Sequence, residues 1–492
     1  MSLILALDQS TSATKAVLFD HAGALLDKAS LEHRQIYPQA GWVEHDAGEI
    51  WQNTLGAIRA LAARQGDRFQ EVAAVSLANQ RETIVVFERA TGRPLHHAIV
   101  WQDRRGAPLC QRLATEGWEG AVRSKTGLRL DTYFSASKLQ WLLAGRPDLA
   151  RQLEDGRAVA GTMDAYLIHR LTGGRVFATD FTNASRTLLF DIHQLRWDPE
   201  LCRLFGVPVH ALPEPREPFA RYGETDAGGT LPRPVPICGV FGDSQASFFA
   251  QRCFQPGTAK ATFGTGTSVL FNIGRDCRLS SGGVVTALAW VLQGQRIYAL
   301  EGLINYSAAT LAWLKDQLGL IDDIAQAEPL ATAVPDNGGV YLVPAFAGLG
   351  APYWSADARA AIVGLTAFSK REHVVRAALE SIAYQVRDVL DLMGTEAGVT
   401  LQALHADGGP TRNTFLMQFT ADVAGVELRA SDVPEASALG AAMAGFLGLG
   451  VHPSLESLSA LRREGRTFKP QRAPAAVERL RAGWLAAVKR VL

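Results

Sequence analysis

The chain has 492 residues with 49 basic and 49 acidic side chains, and 47% of its residues are hydrophobic. This balanced charge argues against nucleic acid or an anionic membrane surface as a partner. The length allows about two to four domains with a large buried core, and the composition excludes a disordered protein.

The cysteines and the apolar stretches bear on the compartment. Five cysteines lie far apart, and no C-x-x-C motif is present. The N-terminus leads directly into a predicted strand, without the pattern of a secretory signal. The longest apolar stretch, 438–451, is shorter than the about 20 residues of a spanning helix and predicts a buried helix. These features predict a cytoplasmic protein with reduced thiols and no membrane insertion.

The segment 3–20, LILALDQSTSATKAVLFD, predicts a β-hairpin, because two apolar runs flank a polar turn. Asp8 ends the first strand, and Thr11 and Ser12 follow it in the turn. A carboxylate beside hydroxyl and N–H donors suits a Mg²⁺-phosphate group. The alternative is an ordinary polar hairpin tip, because Asp, Ser and Thr favour turns for local reasons.

The next elements alternate between strands and helices, which predicts an α/β fold. Asp46 is the predicted N-cap of a helix that ends near residue 64. Further on, Ser135 is the predicted cap of a second helix, and residues 180–186 form a predicted polar loop.

A candidate polyol site comes from this first half of the chain. A strand at 72–77 leads into Arg81 and Glu82, and ligands in α/β folds meet the carboxyl ends of strands. With Trp101 and Tyr133 they supply a cation, a carboxylate and two rings, which suit adjacent hydroxyls and a C–H face. The alternative is a surface ion pair with two core aromatic residues.

Asp243 follows a short apolar strand and precedes a helix of small residues. Its carboxylate could accept the proton of a hydroxyl nucleophile, as an aspartate base does in phosphoryl transfer. The alternative is a helix N-cap. A domain boundary is predicted here, between residues 1–246 and 247–492.

The second half repeats the hairpin design. Residues 259–273 predict a strand, a turn with Gly264 and Thr265, and a returning strand. Two hairpins that cradle phosphate imply a nucleotide held between two related lobes. Gly408 and Gly409 with Asn413 predict either a shelf for a nucleotide base or a turn that starts a helix.

Several motifs together resemble the FGGY carbohydrate kinases, from Leu5 to about Arg490. The most specific are, in chain order, Asn79-Gln80-Arg81-Glu82-Thr83, Ile99-Val100-Trp101-Gln102, Tyr133-Phe134-Ser135 with Lys138 and Trp141, Thr182-Asn183-Ala184-Ser185-Arg186, Gly242-Asp243, Phe263-Gly264-Thr265-Gly266, Gly348-Leu349-Gly350-Ala351-Pro352-Tyr353-Trp354, and Asp407-Gly408-Gly409.

The resemblance implies an α/β fold of two ribonuclease H-like (actin-like ATPase) lobes with an interdomain cleft. It implies phosphorylation of a small polyol by ATP and Mg²⁺, with glycerol giving sn-glycerol 3-phosphate, and a homodimer or homotetramer. The N-terminal lobe would carry the polyol site and the first phosphate hairpin, and the C-terminal lobe the second hairpin and the adenosine site.

Site roles implied by the resemblance agree with the residue types. Asp243 would be the catalytic base, and Asp8 and Asp243 would place Mg²⁺. The predicted polyol contacts are Arg81, Glu82, Trp101, Tyr133 and Asp243. The residues implied to bind the nucleotide are Thr11, Ser12, Gly264, Thr265, Gly408, Gly409 and Asn413.

Three residues depart from the pattern of the family members that act on glycerol. Ser244 stands where Gln usually follows the catalytic Asp, Ser268 stands where Phe usually packs on the glycerol carbons, and Ser10 replaces a Gly. Smaller side chains at Ser244 and Ser268 predict a larger, wetter substrate pocket. The alternative functions are a kinase of a tetritol, pentitol or pentulose and, from another class, an actin- or Hsp70-like ATPase.

Overall fold

The computed structural model describes residues 2–461 and 465–492. Contacts divide the chain into two compact units. Unit 1 comprises Met1–Arg252, Ala287–Tyr298 and Glu435–Arg462, and unit 2 comprises Cys253–Thr286, Ala299–Pro434 and Arg463–Leu492. Unit 1 thus includes two segments from the second half of the chain. The functional division at residue 246 stays a prediction.

The strands of the described residues are, in chain order, β1 (Leu3–Gln9), β2 (Ala13–Phe19), β3 (Leu25–Glu32), β4 (Glu44–His45), β5 (Val72–Asn79), β6 (Ile84–Glu88), β7 (Ala98–Ile99), β8 (Ala158–Thr162), β9 (Ala178–Asp180), β10 (Phe190–Asp191), β11 (Arg196–Trp197), β12 (Glu214–Arg216), β13 (Arg221–Thr225), β14 (Val235–Gly242), β15 (Thr258–Phe263), β16 (Thr267–Gly274), β17 (Val285–Leu292), β18 (Gln295–Ile304), β19 (Tyr341–Val343), β20 (Ala361–Val363), β21 (Ala403–Asp407), β22 (Glu427–Ser431) and β23 (Gly465–Phe468).

The α-helices of the same residues are α1 (Ala47–Gln65), α2 (Ala107–Thr115), α3 (Glu119–Thr126), α4 (Ser135–Gly145), α5 (Pro147–Glu154), α6 (Met163–Leu171), α7 (Phe181–Ala184), α8 (Pro199–Leu204), α9 (Asp243–Ala250), α10 (Ala308–Asp316), α11 (Ala327–Thr332), α12 (Arg371–Ala397), α13 (Thr414–Ala424), α14 (Ala436–Gly448), α15 (Leu455–Ser459) and α16 (Pro474–Lys489). Among the described helices, none combines the length and apolar character needed to cross a membrane.

The main sheet of unit 1 has six strands in the order β13-β14-β5-β1-β2-β3. β1 and β2 pair antiparallel with Asp8 opposite Lys15, which confirms the first predicted hairpin. β5 lies parallel to both β1 and β14, and the register aligns Gln9 with Asn79 and Asn79 with Gly242. The carboxyl ends of these three strands therefore lie side by side, and the chain leaves them next to the predicted site residues.

Helix α14 packs closely on this sheet and on α9, as predicted for the apolar stretch 438–451. A Cβ on Gly440 would lie 1.8 Å from the carbonyl oxygen of Ala246, and one on Gly445 would lie 2.2 Å from Ser76 Oγ. Since real side chains do not approach so closely, both glycines are required for this packing. The contact fixes α9, which begins at Asp243.

The second predicted hairpin lies in a seven-stranded sheet of order β17-β18-β16-β15-β21-β22-β23. β15 and β16 pair antiparallel, with Phe263 opposite Thr267. β15 and β21 pair parallel, with Thr262 beside Asp407. The turn after β15 and the glycines after β21 are therefore neighbours at one sheet edge.

Two local predictions are wrong and one is confirmed. Asp46 caps α1 by accepting hydrogen bonds from Gly48 N at 2.8 Å and Glu49 N at 3.2 Å. Ser135 does not cap α4; its hydroxyl donates instead to the carbonyl oxygen of Glu82 at 2.8 Å. Residues 180–186 contain the buried helix α7, because Asp180 accepts from the N–H groups of its first turn.

Candidate active site

The charged centre of unit 1 is formed by Arg81, Glu82 and Asp243. Arg81 Nε lies 3.4 Å from Asp243 Oδ1 and 3.8 Å from Glu82 Oε1. Arg81 and Glu82 are buried, whereas the Asp243 side chain is 36% exposed. Glu82 has a φ of 62°, which is rare for a residue with a side chain. A buried residue with a strained backbone beside an accessible carboxylate is typical of a functional site.

Asp243 is the first residue of α9, and the helix has no side-chain N-cap. Its Oδ1 accepts a hydrogen bond from the adjacent Ser244 N at 2.6 Å. The carboxylate is therefore not used as an N-cap, and its exposed fraction leaves it accessible to a ligand.

Two aromatic rings lie next to one another in the same unit. The ring centroids of Trp101 and Tyr133 are 5.3 Å apart and the planes are tilted by 60°. Trp101 Nε1 donates to Thr11 Oγ1 at 3.0 Å. The predicted polyol aromatics and the predicted phosphate hairpin are thus joined directly.

Lys138 holds the loop that carries Tyr133. Its buried ammonium donates to the carbonyl oxygens of Thr132, Tyr133 and Phe134, the last two at 3.0 Å. Burial lowers the pKa of Lys138 to about 8, although nearby carboxylates oppose the shift. The sequence shows Lys138 within a motif but does not reveal this contact.

The first hairpin turn is fixed by side chains. Ser10 Oγ donates to the carbonyl oxygen of Ala13 at 2.9 Å, so this departure from Gly tightens the turn. The Thr11 carbonyl oxygen accepts from Gln35 Nε2 at 2.6 Å and contacts His33 Nε2 at 2.8 Å. Ser12 is exposed at the tip.

Asp8 is buried at the base of the same hairpin. Burial raises the pKa of the Asp8 carboxyl to about 6; Lys15, 3.3 Å away, opposes the shift, and Glu435 and Asp243 add to it. Within residues 2–461 and 465–492, no group of three or more His, Cys, Asp or Glu side chains could hold a metal ion. The carboxylates of Asp8 and Asp243, the two predicted ligands, fit Mg²⁺, because this ion usually takes one or two protein carboxylates together with substrate phosphates and water.

Gln245 is a site residue that the sequence interpretation missed. Its Oε1 accepts a hydrogen bond from Arg81 Nη1 at 3.1 Å, and its Nε2 donates to the carbonyl oxygen of Leu288 at 3.3 Å. Ser244, the predicted substrate residue beside it, is half-buried. The amide that orients Arg81 therefore comes from the second residue after Asp243.

In unit 2 the second hairpin turn is held by its backbone. Gly264 N donates to the carbonyl oxygen of Gly266 at 2.8 Å, and the Gly264 carbonyl oxygen accepts from Ala308 N at 3.0 Å. A Cβ on Gly266 would lie 2.4 Å from the carbonyl oxygen of Ile304. Thr265 is exposed between the two glycines.

Ser268 follows this turn on β16 and lies opposite Thr262. The hydroxyl groups of both residues are buried, and neither has a hydrogen-bond partner among the described residues. Two such hydroxyls on paired positions are unusual, because buried polar groups are almost always hydrogen-bonded.

Gly408 and Gly409 differ in their surroundings. Gly408 has a φ of 96°, and a Cβ there would lie 1.9 Å from the carbonyl oxygen of Phe263, whereas a Cβ on Gly409 would meet nothing within 4 Å. Asn413 caps α13, and its Oδ1 accepts from Leu416 N at 2.8 Å. Gly408 is therefore required by the chain itself, and Gly409 is not.

Taken together, unit 1 brings the predicted polyol residues Arg81, Glu82, Trp101, Tyr133, Asp243 and Ser244 to one region with Asp8 and Thr11. Unit 2 brings the predicted nucleotide glycines to one sheet edge. Ser268 belongs to unit 2.

Comparisons with known proteins agree with this arrangement. The model of the FGGY family of carbohydrate kinases, N-terminal domain, matches residues 3–250, and that of its C-terminal domain matches residues 259–449.

Two relatives named glycerol kinase resemble the chain over almost its full length. The one from Symbiobacterium thermophilum is 49% identical over 99% of this chain and 98% of its own. The one from Desulfitobacterium hafniense is 47% identical over 99% of both chains. A crystal structure of Plasmodium falciparum glycerol kinase with ADP matches with a TM-score of 0.96 and 35% identity, over 100% of this chain and 98% of that one. The chain belongs to the FGGY family of carbohydrate kinases.

Proposed function

We propose that this protein transfers the γ-phosphoryl group of ATP to a terminal hydroxyl of glycerol and produces sn-glycerol 3-phosphate and ADP. The observation that carries the proposal is the grouping of Arg81, Glu82 and the accessible Asp243 beside the Trp101–Tyr133 pair. The names of its relatives, at 47–49% identity over nearly the full chain, favour glycerol.

Each side chain has a distinct role in this proposal. Arg81 donates a hydrogen bond to one hydroxyl oxygen of glycerol and Glu82 accepts a hydrogen bond from another hydroxyl, while the rings of Trp101 and Tyr133 cover the carbon chain. Fixing the polyol by several directional contacts aligns its terminal oxygen for in-line attack.

Asp243 acts as the general base. As the hydroxyl oxygen bonds to the γ-phosphorus, its proton passes to the Asp243 carboxylate, and the bond between the γ-phosphorus and the bridging oxygen breaks to release ADP. Arg81, 3.4 Å from Oδ1, orients the carboxylate toward the substrate. The proton then leaves to solvent through the exposed side of Asp243.

The nucleotide would be held by Thr11, Ser12, Gly264, Thr265, Gly408, Gly409 and Asn413. Asp8 and Asp243 would hold Mg²⁺, which when bound neutralises charge on the phosphates. In this proposal residues 1–246 supply the polyol site and the first phosphate hairpin. Residues 247–492 supply the second hairpin and the adenosine site.

A cytoplasmic location and a homodimer or homotetramer complete the proposal. No disulfide joins any of the five cysteines in the described part of the chain, which suits a reducing compartment. Light scattering on the purified protein measures the oligomeric state.

This function is tested by measuring the ADP that the purified protein releases from ATP-Mg²⁺ with each of several substrates: glycerol, erythritol, threitol, pentitols and pentuloses. We expect the highest kcat/KM for glycerol. Asp243→Asn should lower kcat by about 100- to 10,000-fold and leave ATP binding nearly unchanged. Asp148→Asn, at an exposed position, is the matched control. Wild-type protein without polyol-dependent ADP release, or Asp243→Asn with normal turnover, would contradict the proposal.

A longer polyol or ketose is the second candidate substrate, and Ser268 favours it. Its small side chain and its buried, unpartnered hydroxyl suit an additional substrate hydroxyl better than a bare carbon chain. A preference of more than about tenfold for a tetritol, pentitol or pentulose over glycerol would select this candidate.

A further inference from the structure

The segment 180–187 has no role in the function described so far. It contains α7, whose residues are buried. Asp180 Oδ2 accepts from Thr182 N at 2.7 Å, and Oδ1 accepts from Asn183 N at 2.9 Å. This cap fixes a short helix that could not form alone and sets the direction of the side chains that follow.

Arg186 connects the segment to Glu82. Its Nε donates to Glu82 Oε1 at 2.6 Å, and both side chains are at most 2% exposed. The guanidinium lies 5.8 Å from the ring centroid of Tyr133 and 5.1 Å from that of Phe134. Arg186 thus contacts both a charged and an aromatic residue of the proposed polyol site, and charge-assisted bonds of this length orient a carboxylate strongly.

Thr182 connects the segment to the catalytic strand end. Its Oγ1 accepts a hydrogen bond from Gly242 N at 2.9 Å. Gly242 is the last residue of β14 and directly precedes Asp243. The hydroxyl of Thr182 therefore fixes the backbone from which the proposed base projects.

Asn183 connects the segment to the carboxyl end of β5. The side-chain amides of Asn183 and Asn79 bond reciprocally, with both N–O distances at 2.9 Å. Asn79 ends β5, two residues before Arg81. One buried segment thus makes directed hydrogen bonds to Glu82, to the start of Asp243 and to the strand that delivers Arg81.

We propose that Arg186 and Thr182 are positioning residues of the phosphoryl transfer. Arg186 orients the Glu82 carboxylate toward the polyol hydroxyl, and Thr182 fixes the backbone entry to Asp243. The inference rests on the proposed function. It assigns separate effects to the two residues, because Glu82 binds the polyol whereas Asp243 takes part in the chemical step.

Arg186 is tested by Arg186→Gln and Arg186→Lys. Gln cannot supply a cation, so KM for glycerol should rise more than about 30-fold while KM for ATP stays within twofold. Lys restores the charge without the planar geometry and should raise KM for glycerol by about three- to tenfold.

Thr182 is tested by Thr182→Val and Thr182→Ser. Val keeps the shape but cannot accept from Gly242 N, so kcat should fall about tenfold or more with KM for glycerol within twofold. Ser retains the hydroxyl and should recover at least half of the wild-type kcat.

Arg170→Gln is the matched control, because Arg170 is a partly buried arginine of unit 1 that bonds Gly92 O and Tyr166 Oη and packs on the Trp51 ring, and none of these described partners is a predicted site residue. It should change thermal stability without changing either KM. If Arg186→Gln does not fold, Arg186→Lys decides the point.

The inference would be overturned if KM for glycerol were unchanged in every Arg186 variant that folds, or if kcat were unchanged in Thr182→Val. The proposed function would still stand in that case, provided that the wild-type protein phosphorylates glycerol. If wild-type protein phosphorylates a longer polyol instead, the same constants are measured with that substrate. Absence of polyol-dependent turnover in the wild type would overturn both.

Discussion

The proposed polyol site of unit 1 and the proposed nucleotide loops of unit 2 are stabilised in different ways. In unit 1, side chains from distant segments hold the site, as Arg186 holds Glu82 and Gln245 holds Arg81. In unit 2, glycines allow backbone segments to approach closely, as at Gly266 and Gly408. In the proposed function, directional side-chain bonds select a small polyol by its hydroxyls, whereas backbone turns accommodate phosphates, which differ little between nucleotides.

The largest expected effect separates the two glycines of unit 2. Gly408→Ala places a Cβ 1.9 Å from a carbonyl oxygen at a φ of 96°, so the melting temperature should fall by about 5 °C or more. Gly409→Ala meets no neighbour and should leave the melting temperature within about 2 °C, while KM for ATP rises about five- to tenfold. Thermal unfolding and ATP titration measure both variants. Equal destabilisation by the two substitutions would remove the distinction between them.

In unit 1, loss of a supporting side chain should change substrate binding. Lys138→Met removes the donor to three carbonyl oxygens, leaves them buried and loosens the Tyr133 loop. We expect KM for glycerol to rise about tenfold and KM for ATP to stay within twofold. Lys125→Met, which loses a partly exposed ion pair with Asp198, is the control. A polyol KM unchanged from the control would mean that Lys138 does not position Tyr133.

The buried carboxyl of Asp180, which caps α7, should also make the stability of the folded protein depend on pH. Burial, with the neighbouring Asp164 carboxylate, raises the pKa of Asp180 to about 7. The folded state then keeps a proton that the unfolded state releases near pH 4, so stability should fall as pH rises from about 4 to 7.

Asp164→Asn removes the neighbouring charge and also a second carboxyl whose own pKa is raised by burial, so this fall should shrink by roughly 1–2 kcal/mol. Urea unfolding at pH 5 and pH 7.5 measures it, with Asp148→Asn as an exposed control. A fall as large in Asp164→Asn as in the control would contradict the assignment.

The last prediction concerns substrate preference at Ser268. Ser268→Phe adds an apolar wall and should raise the ratio of kcat/KM for glycerol to that for erythritol by about tenfold. Ser268→Ala removes the hydroxyl without adding volume, so its comparison with Ser268→Phe distinguishes the effect of polarity on substrate preference from the effect of side-chain size. A ratio unchanged in both variants would mean that Ser268 does not face the substrate.

Much of the local structure was predictable from the sequence. Both hairpins and the cap at Asp46 depend on residues close in the chain, and the structure confirms them. The predictions for Ser135 and for the segment 180–186 were wrong, because their side chains bond to groups far away in the sequence. Ser135 donates to the carbonyl oxygen of Glu82, and Thr182 accepts from Gly242 N at the end of β14.

The comparison of Gly408 with Gly409 illustrates the same limit. The two glycines are adjacent and look equivalent in the sequence, yet only Gly408 is pressed against Phe263 of a parallel strand. The pairing of β15 with β21 decides this, and no local pattern encodes that pairing.

The sequence by itself determined the family, the α/β alternation, the two turns and the residue types of the site, since each depends on short-range pattern or a recognisable motif. Only the tertiary structure decided which buried groups support them. Arg186 bonds Glu82 across 104 residues, and Gln245 bonds Arg81 across 164. Arg81 and Gln245 meet because β5 and β14, which precede them, align in register, and a register is a property of the assembled sheet rather than of either strand.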